Sequence, residues 1–351
     1  VAQLADYHIK LRPGTNVAVL NMMLHYIVKS KLYNVDFVRD RTEGFDNFLK
    51  EIERQDIDYL AKVAGVDKQL VKEAAIAYAT AKNSMEFHGL GVTEHEQGSK
   101  TVMLIADLAM ITGNIGRKGV GVNPLRGQNN VQGAADMGCQ PHQGAGYFEV
   151  ADEKNQKFYS DKYGVTHPTK AGLKIPQMFD AAIKKELKGI WIIGEDIVQT
   201  DPNSAHVVDA MNSLELLVVQ EIFMSETAKL ATVVLPGTTL LEKDGTFTNT
   251  ERRVQRVNRA VPPLPGTKPD GVIVTDMMQK LGFDQPNYDA DQVLAEIADI
   301  VPFFKGITRE RLGKFGLQWP VKEDGTDTQI LHTEEFKLGK GQLKSFDWKE
   351  S

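Results

Sequence analysis

The chain has 351 residues, a length that fits about two or three domains. Hydrophobic residues make up 42% and charged residues 25%, as in a globular protein with a sizeable core, and the net charge of -6 argues against nucleic acid as the main partner. The single cysteine, Cys139, excludes a disulfide framework, a cysteine-ligated iron–sulfur cluster and a structural zinc site within this sequence.

Helical periodicity is clear in the first part of the chain. Apolar residues recur at helical spacing over residues 16–31, and two further amphipathic patterns follow, GFDNFLKEIERQ and DKQLVKEAAIAYATAK. Residues 84–92, SMEFHGLGV, have the composition of a buried strand that ends at glycines, and SKTVMLIADLAMITGNIG predicts a helix that ends near Gly113.

The second part of the chain begins with a lysine-rich segment, residues 148–172, which we expect to be a surface connector. Three short apolar strands follow at residues 190–193, 216–219 and 232–235, and each ends in polar loop residues. This pattern predicts an α/β fold with a parallel sheet whose strand carboxyl ends face a ligand. The last 50 or so residues carry little structural signal.

Known catalytic motifs do not occur: the sequence has no GxSxG, no HExxH and no Walker A loop. The eight histidines show no metal-ligand spacing and are expected to have structural roles, with only His95 singled out because it follows a strand. No apolar run reaches the roughly 18 residues that span a membrane, so we predict no membrane span. Because a single cysteine allows no disulfide framework, the expected location is the cytoplasm. The chain begins without methionine or a signal peptide, and we expect it to be cut from a longer protein.

Six polar loops hold the chemistry that the sequence offers. They combine glycines, which allow close backbone approach, with amides and single charges, which suits a large, polar, phosphate-bearing heterocycle. They are RPGTN (12–16), GLGVTEHEQG (89–98), NPLRGQNNVQG (123–133), GEDIVQTDPN (194–203), QEIFMSET (220–227) and EKDGTFTNTERRVQ (242–255).

These loops closely resemble those of molybdenum- or tungsten-dependent formate dehydrogenases, which belong to the bis-molybdopterin guanine dinucleotide oxidoreductases. The most specific stretch is TGNIGRKGVGVNPLRGQNNVQGAADMG, from Thr112 to Gly138, and the resemblance extends over about residues 11–319. It implies Rossmann-like parallel sheets flanked by helices, as in DMSO reductase-type enzymes, incomplete at both ends. It also implies three domains: a partial cofactor-binding domain at 1–128, a guanosine-binding domain at 129–240, and a cofactor loop with a segment packing toward a missing iron–sulfur domain at 241–351.

Arg126 matches the active-site arginine of that family. A guanidinium holds a carboxylate through paired charge-assisted hydrogen bonds, so the residue type suits formate, the smallest carboxylate. The alternative is that Arg126 binds a pterin phosphate.

The resemblance further implies a set of cofactor-binding residues. Glu94 stands where the family commonly has glutamine, and a carboxylate there costs electrostatic energy beside a cofactor rich in phosphate. The acids among the set have the alternative role of strand-end caps. Arg252 and Arg253 are as well explained by salt bridges as by cofactor contacts. The implied residues are Gly14, Thr15, Asn16, Leu90, Glu94, Gly127, Gln128, Asn129, Gly194, Glu195, Asp196, Gln220, Glu221, Lys243 and Asp270.

The family pattern breaks after Gly138, where the sequence reads CQPHQGAGY. We expect Cys139 to be an ordinary buried thiol and not a metal ligand, and His142 is a new titratable group there. By the resemblance, the cysteine or selenocysteine metal ligand and the [4Fe–4S] cluster loop belong upstream of Val1. A further domain belongs downstream of this sequence. This sequence is therefore predicted to contain no metal ligand, and the isolated chain is expected to be inactive.

The resulting prediction is the central region of a formate dehydrogenase catalytic subunit that oxidises formate to CO2. Its partners would be formate, the pterin cofactor and subunits that carry iron–sulfur clusters. Two alternatives stay open: another bis-pterin oxidoreductase of the nitrate reductase type, and a non-catalytic cofactor-binding chain that lacks the metal ligand. An ordinary nucleotide-binding α/β protein would need a complete phosphate loop, which the sequence lacks.

Overall fold

Helices and strands alternate along residues 1–350, the part of the chain that the structure, a computed structural model, describes. The helices are α1 Asn16–Lys29, α2 Val35–Arg41, α3 Phe45–Glu53, α4 Ile57–Ala64, α5 Lys68–Thr80, α6 Leu90–Thr93, α7 Gly98–Ile111, α8 Val131–Asp136, α9 Glu153–Tyr163, α10 Ile175–Ile183, α11 Ile197–Thr200, α12 Ser204–Asn212, α13 Glu226–Lys229, α14 Asp270–Lys280, α15 Ala290–Ile300 and α16 Arg309–Leu312. The strands are β1 Thr42–Glu43, β2 Met85–His88, β3 Gly121–Pro124, β4 Gln143–Gly144, β5 Phe148–Glu149, β6 Gly189–Ile193, β7 Leu216–Glu221, β8 Val233–Pro236, β9 Gly245–Thr248, β10 Arg253–Val257, β11 Leu317–Gln318 and β12 Gly341–Gln342.

The chain divides into two units. The first unit holds Val1–Gln128 and residues 329–350, and the second holds Asn129–Thr328. The three-domain division predicted from the resemblance stays a prediction.

The first unit is built around α1, which packs against α3, α4, α5 and α7. Of its predicted apolar stripe, Val19, Met22 and Ile27 are buried, whereas Met23 and Tyr26 are half-buried. The helix patterns predicted for α1, α3, α5 and α7 are confirmed, because an apolar stripe at 3.6-residue spacing must be buried against other elements.

Residues 84–92 are only partly the strand that the sequence predicts. Met85–His88 form β2, which pairs in parallel with β3, but residues 90–93 turn into the short helix α6. Alternate residues of β2 are exposed, so the strand is half-buried rather than buried.

The second unit contains the predicted parallel sheet, in the order β6–β7–β8. Leu217 and Val219 of β7 are buried against Phe179 of α10 and Val207 of α12. Parallel strands need crossover connections, and helices supply them here between β6 and β7 and between β7 and β8. The α/β prediction with parallel sheets is confirmed.

A second core in this unit joins the antiparallel strands β9, β10 and β11 to α9 and α15. Asp136 at the end of α8 is fully buried and accepts hydrogen bonds from three side chains: Gln132 Nε2 at 2.8 Å, Tyr147 OH at 2.7 Å and Trp319 Nε1 at 2.8 Å. Buried carboxylates need such donors, so this network ties α8 to the rest of the core.

Residues 148–172 are mostly exposed, as predicted for a surface connector, but the segment is not aperiodic, because Glu153–Tyr163 form the helix α9. Asp152 caps α9 by accepting hydrogen bonds from the N–H groups of Lys154 and Asn155, and Gly164 ends the helix in the left-handed conformation. Tyr159 is 8% exposed and packs in the core beside Leu294. A single aromatic anchor on an otherwise polar helix leaves too weak a periodic signal to read from sequence.

Among the described residues, no helix combines the length and the apolar character needed to cross a membrane.

Asp107 provides a test of the first unit's core. It is 1% exposed among apolar residues of α7, and its Oδ2 has no hydrogen-bond partner within the described chain. Burial raises the pKa of Asp107 to about 8, although the backbone N–H and charge of Lys344 offset part of the effect. The folded protein therefore holds a proton that the unfolded chain releases near its ordinary pKa of 3.8.

We predict that the free energy of unfolding falls as the pH rises from about 4 to about 8, and that Asp107→Asn removes this part of the slope, up to about 1.4 kcal/mol per pH unit. Urea unfolding at several pH values measures both. Asp46→Asn, an exposed residue of α3, is the control and should keep the wild-type slope. Parallel wild-type and Asp107→Asn profiles would contradict a protonated Asp107.

Candidate functional site

The parallel pairing of β2 with β3 sets the geometry of the first unit's candidate site. His88 lies opposite Pro124, and the N–H of Leu125 donates to the carbonyl of His88 at 2.7 Å. Because both strands run the same way, Gly89–Leu90 and Leu125–Arg126 leave the sheet at the same edge.

Arg126 is exposed at this edge, as are Gly127 and Gln128. A side chain built at Gly127 would meet no heavy atom within 4 Å, and Leu90 is 50% and Leu125 49% exposed. The segment thus presents a guanidinium beside open backbone and apolar side chains, which is suitable for a flat, partly polar ligand.

Glu94 follows α6 and is exposed, with its backbone N–H bonded to the carbonyl of Leu90 at 2.9 Å. Leu90 and Glu94 therefore lie on one short turn that starts next to Leu125. Their predicted cofactor contacts stay predictions.

Gly14, Thr15 and Asn16 lie at the start of α1. The Thr15 hydroxyl is buried and donates to the Arg12 carbonyl at 2.6 Å, while the Gly14 carbonyl accepts from Trp348 Nε1 at 3.0 Å. These contacts fix the turn, and they already use the Thr15 hydroxyl proton.

In the second unit, the carboxyl ends of β6, β7 and β8 meet at one edge. The N–H of Gly194 donates to the Gln220 carbonyl at 2.9 Å, and the N–H of Gly237 donates to the Glu221 carbonyl at 3.0 Å. Gly194 has a φ of +65° and open space where a Cβ would lie. The edge therefore brings together most of the residues that the sequence predicts for the guanosine.

The acids at this edge divide into two groups. Asp196 accepts hydrogen bonds from Thr227, at 3.0 Å from the N–H and 2.6 Å from Oγ1, and from Gln199 Nε2 at 2.7 Å. Burial raises the pKa of Asp196, but these hydrogen bonds outweigh it and leave the pKa below its usual value. These contacts favour the cap role of Asp196 that the sequence left open, whereas Glu195 is exposed and accepts a hydrogen bond from Thr200 Oγ1 at 2.7 Å.

Asp270 joins the other predicted residues. Gln220 Nε2 donates to Asp270 Oδ1 at 2.7 Å, and Lys243 Nζ forms an ion pair with Asp270 Oδ2. Glu221 accepts from the N–H of Ile222 at 2.7 Å. Asp270 therefore orients both an amide and an ammonium group at the same edge of the sheet.

Two buried polar atoms at this edge have no partner within the described residues. Gln220 is 1% exposed with Oε1 unpaired, and Thr238, directly after Gly237, is 4% exposed with its hydroxyl unpaired. Leaving a buried polar atom unpaired costs about 1–3 kcal/mol. Two such atoms at one strand edge fit a polar ligand such as the guanosine end of a dinucleotide.

A cavity of about 300 Å³ opens beside Lys243 and is also lined by Asp244, Arg259, Tyr288 and Arg309. An adjoining cavity of about 240 Å³ shares Lys243, Asp244 and Tyr288. Arg259, Tyr288 and Arg309 were not predicted from the sequence, because none of them lies in one of the six polar loops.

The asparagine-rich run serves the fold as well as the site. Asn129 is exposed, but Asn130 adopts a φ of +60° and its Oδ1 accepts from the N–H of Thr248 at 2.9 Å. Arg252 donates to the carbonyls of Trp319 and Thr328, and Arg253 pairs with Glu251 at 3.1 Å, which favours the structural role for both arginines.

Two further expectations concern cysteine and metal ligands. The prediction of a buried Cys139 is wrong, since the residue is exposed just after α8. Within residues 1–350, no group of three or more histidine, cysteine, aspartate or glutamate side chains is placed to hold a metal ion.

Comparison with known proteins gives the family. A family model described as molybdopterin oxidoreductase matches residues 2–280. The F420-dependent formate dehydrogenase subunit alpha of Methanocaldococcus jannaschii is 42% identical over 348 residues, covering 98% of this chain and 51% of that protein. Formate dehydrogenase H of Escherichia coli is 38% identical over 354 residues, covering 99% of this chain and 50% of that protein.

A solved structure shows the same fold. Acetylene hydratase from Pelobacter acetylenicus superposes with a TM-score of 0.72 at 19% identity, over 98% of this chain and 50% of that one. The chain thus spans about half the length of the relatives that it matches. The resemblance seen in the sequence is confirmed, and the chain belongs to the molybdopterin oxidoreductase family.

Proposed function

We propose that this chain forms the central part of a formate dehydrogenase catalytic subunit, which oxidises formate to CO2 in a two-electron reaction. The observation that carries the proposal is Arg126, exposed at the carboxyl edge of β2 and β3 between glycine and apolar side chains. Relatives named as formate dehydrogenase alpha subunits, about 40% identical over nearly the whole chain, support it.

Arg126 supplies the chemistry that a small carboxylate needs. Two N–H groups of the guanidinium donate to the two carboxylate oxygens, so formate is held in one orientation. Fixing the oxygens also fixes the direction of the C–H bond, and such positioning lowers the barrier of the following step.

The cofactor proposed is a bis-molybdopterin guanine dinucleotide with molybdenum or tungsten. When bound, it supplies the acceptor for the two electrons. In the second unit, Gly194 would let a guanosine approach the backbone, and Glu195 and Glu221 offer acceptors for its N–H groups. Gln220 Oε1 and Thr238 Oγ1, which are buried and form no hydrogen bond within residues 1–350, would bond to the same guanosine. In the first unit, residues 14–16 are proposed to contact one dinucleotide, Leu90 and Glu94 to line the metal–pterin region, and Gln128 to contact the pterin, which Gly127 lets approach the backbone. Asn129, at the start of the second unit, is proposed to order the same cofactor loop.

Subunits that carry iron–sulfur clusters are the proposed redox partners, and a cytoplasmic location remains part of the proposal.

Arg126→Ala tests the substrate role. We expect kcat/KM for formate to fall on the order of 100-fold or more, while metal and pterin contents stay at wild-type levels, because the change removes a positioning group. Steady-state kinetics and metal analysis of the native protein that contains this chain measure both.

Arg39→Ala, an exposed arginine of α2, is the control and should behave as wild type. A variant lacking Arg126 that oxidises formate normally would exclude the proposed role. Loss of the cofactor together with activity would favour the phosphate-binding alternative.

Gly194→Ala tests the guanosine edge, and Gly164→Ala is its matched control. Both glycines have a φ of +65° and open space around a built Cβ, but Gly164 ends α9 and lies outside the sheet edge. Each change should therefore lower the free energy of unfolding by about 1 kcal/mol, because alanine is strained at this φ. Only Gly194→Ala should also lower the amount of bound guanine dinucleotide, measured by extraction and chromatography. Equal dinucleotide contents in the two variants would count against this site.

A further inference from the structure

Three consecutive large apolar side chains are exposed directly after β7. Ile222 is 46%, Phe223 76% and Met224 63% exposed, whereas Leu217 and Val219 of β7 are buried. Exposing large apolar side chains to water is unfavourable, and contiguous exposed apolar residues mark binding surfaces. The polar residues of this loop, QEIFMSET, are proposed to bind the guanosine, which leaves the role of its apolar middle open.

The loop that carries Phe223 is held at both ends. Before Phe223, the N–H of Ile222 donates to Glu221 Oε1 at 2.7 Å, and after it the N–H of Ser225 donates to the Phe223 carbonyl at 2.9 Å. Ser225 is also the N-cap of α13, where its Oγ accepts from the N–H of Ala228 at 3.1 Å. A tethered turn therefore presents Phe223 to solvent, so a ligand can bind there with little loss of loop entropy.

Phe223 lies beside the proposed guanosine edge. Glu221, the last residue of β7, is paired with Pro236 of β8, and the carbonyl of Glu221 accepts from the N–H of Gly237 at 3.0 Å. Phe223 follows Glu221 by two residues, a chain span of at most about 7 Å. Only this short span separates Phe223 from the backbone that carries the proposed guanosine acceptors.

A guanine base has a polar edge and two apolar faces, and these need different partners. The buried, unpaired atoms of Gln220 and Thr238, with the carboxylate of Glu221, are suited to the edge. The residues that the resemblance implies for the guanosine include no aromatic side chain that could cover a face.

An exposed phenyl ring beside these polar atoms supplies the missing partner, because aromatic rings stack on the faces of nucleobases. An apolar protein segment lying on the same surface would cover the ring but leave the buried polar atoms unpaired, which is costly. The combination of an exposed ring with unpaired hydrogen-bonding atoms therefore favours a nucleobase as the occupant.

We propose that Phe223 is the stacking platform for the guanine base of the bound dinucleotide, with Ile222 and Met224 as the apolar rim of the same surface. The phenyl ring contacts one face of the base, while the polar residues at the end of β7 and after β8 bond to its edge. The inference rests on the proposed function, because it takes the guanosine site as given. It assigns Phe223 no part in the oxidation of formate.

Three substitutions separate base stacking from packing against protein. Phe223→Ala removes the ring, Phe223→Leu keeps apolar bulk without an aromatic face, and Phe223→Tyr keeps the ring. A protein segment that covered Phe223 would tolerate leucine, because apolar burial is non-directional, whereas a stacked base requires the ring. Phe315→Ala is the control, since Phe315 is also 76% exposed but lies between α16 and β11.

The experiment follows release of the guanine dinucleotide from the native, cofactor-loaded protein that contains this chain. The protein is held in urea below its unfolding transition, and the dinucleotide still bound is extracted and quantified by chromatography over time. We expect Phe223→Ala and Phe223→Leu to release it about tenfold faster than wild type, and Phe223→Tyr to stay within about threefold. Phe315→Ala should match wild type. Circular dichroism under the same conditions verifies that each variant stays folded.

Wild-type release from Phe223→Ala would overturn the inference, as would equally fast release from all three variants. Fast release from Phe223→Ala with wild-type release from Phe223→Leu would also overturn it and would identify a protein segment as the cover of Phe223. If Phe223→Ala fails to fold, the leucine and tyrosine variants give the same decision.

The dinucleotide content of the wild-type protein separates this inference from the function on which it rests. Absence of guanine dinucleotide from the wild-type protein rejects the guanosine site and with it the proposed function. Its presence, with equal release from wild type and all variants, rejects only the role of Phe223.

Discussion

Parallel strand pairing is the constraint on which both candidate sites depend. In the first unit, β2 and β3 run in the same direction, so His88 and Arg126 lie at the same edge of the sheet, where both strands end. In the second unit, the parallel strands β6, β7 and β8 likewise place Gly194, Gln220 and Gly237 at one edge. The apolar strands β6 and β7 supply the burial that holds the sheet of the second unit, and in both units the strand register places the polar residues that follow.

A polar residue at such an edge either stabilises the loops or binds a ligand, and its hydrogen bonds within the protein distinguish these two roles. Asp196 is satisfied by Thr227 and Gln199, and Asp270 by Gln220 and Lys243, so these carboxylates hold the loops in shape. The buried oxygen of Gln220 has no such partner within the described chain. A site built this way is preorganised, because the groups that would meet a ligand are already held by groups that do not.

Much of this could be predicted from the sequence. The apolar runs predicted the three strands of the parallel sheet, and the sequences of the six polar loops predicted the family. Tertiary context decided the rest: α9 forms around one buried tyrosine, Cys139 is exposed in the turn after α8, and Asp196 accepts hydrogen bonds from Thr227. His88 gave no sequence signal beyond its place before Gly89, since its position opposite Pro124 is set by the pairing of β2 with β3.

The most direct test of the whole account is the cofactor content of the native protein that contains this chain. Extraction with elemental analysis should find molybdenum or tungsten together with about two guanine dinucleotides for each metal atom, as a bis-pterin cofactor requires. A protein that is folded, carries neither the metal nor guanine dinucleotide as isolated, and takes up neither when expressed with both available, would contradict the account.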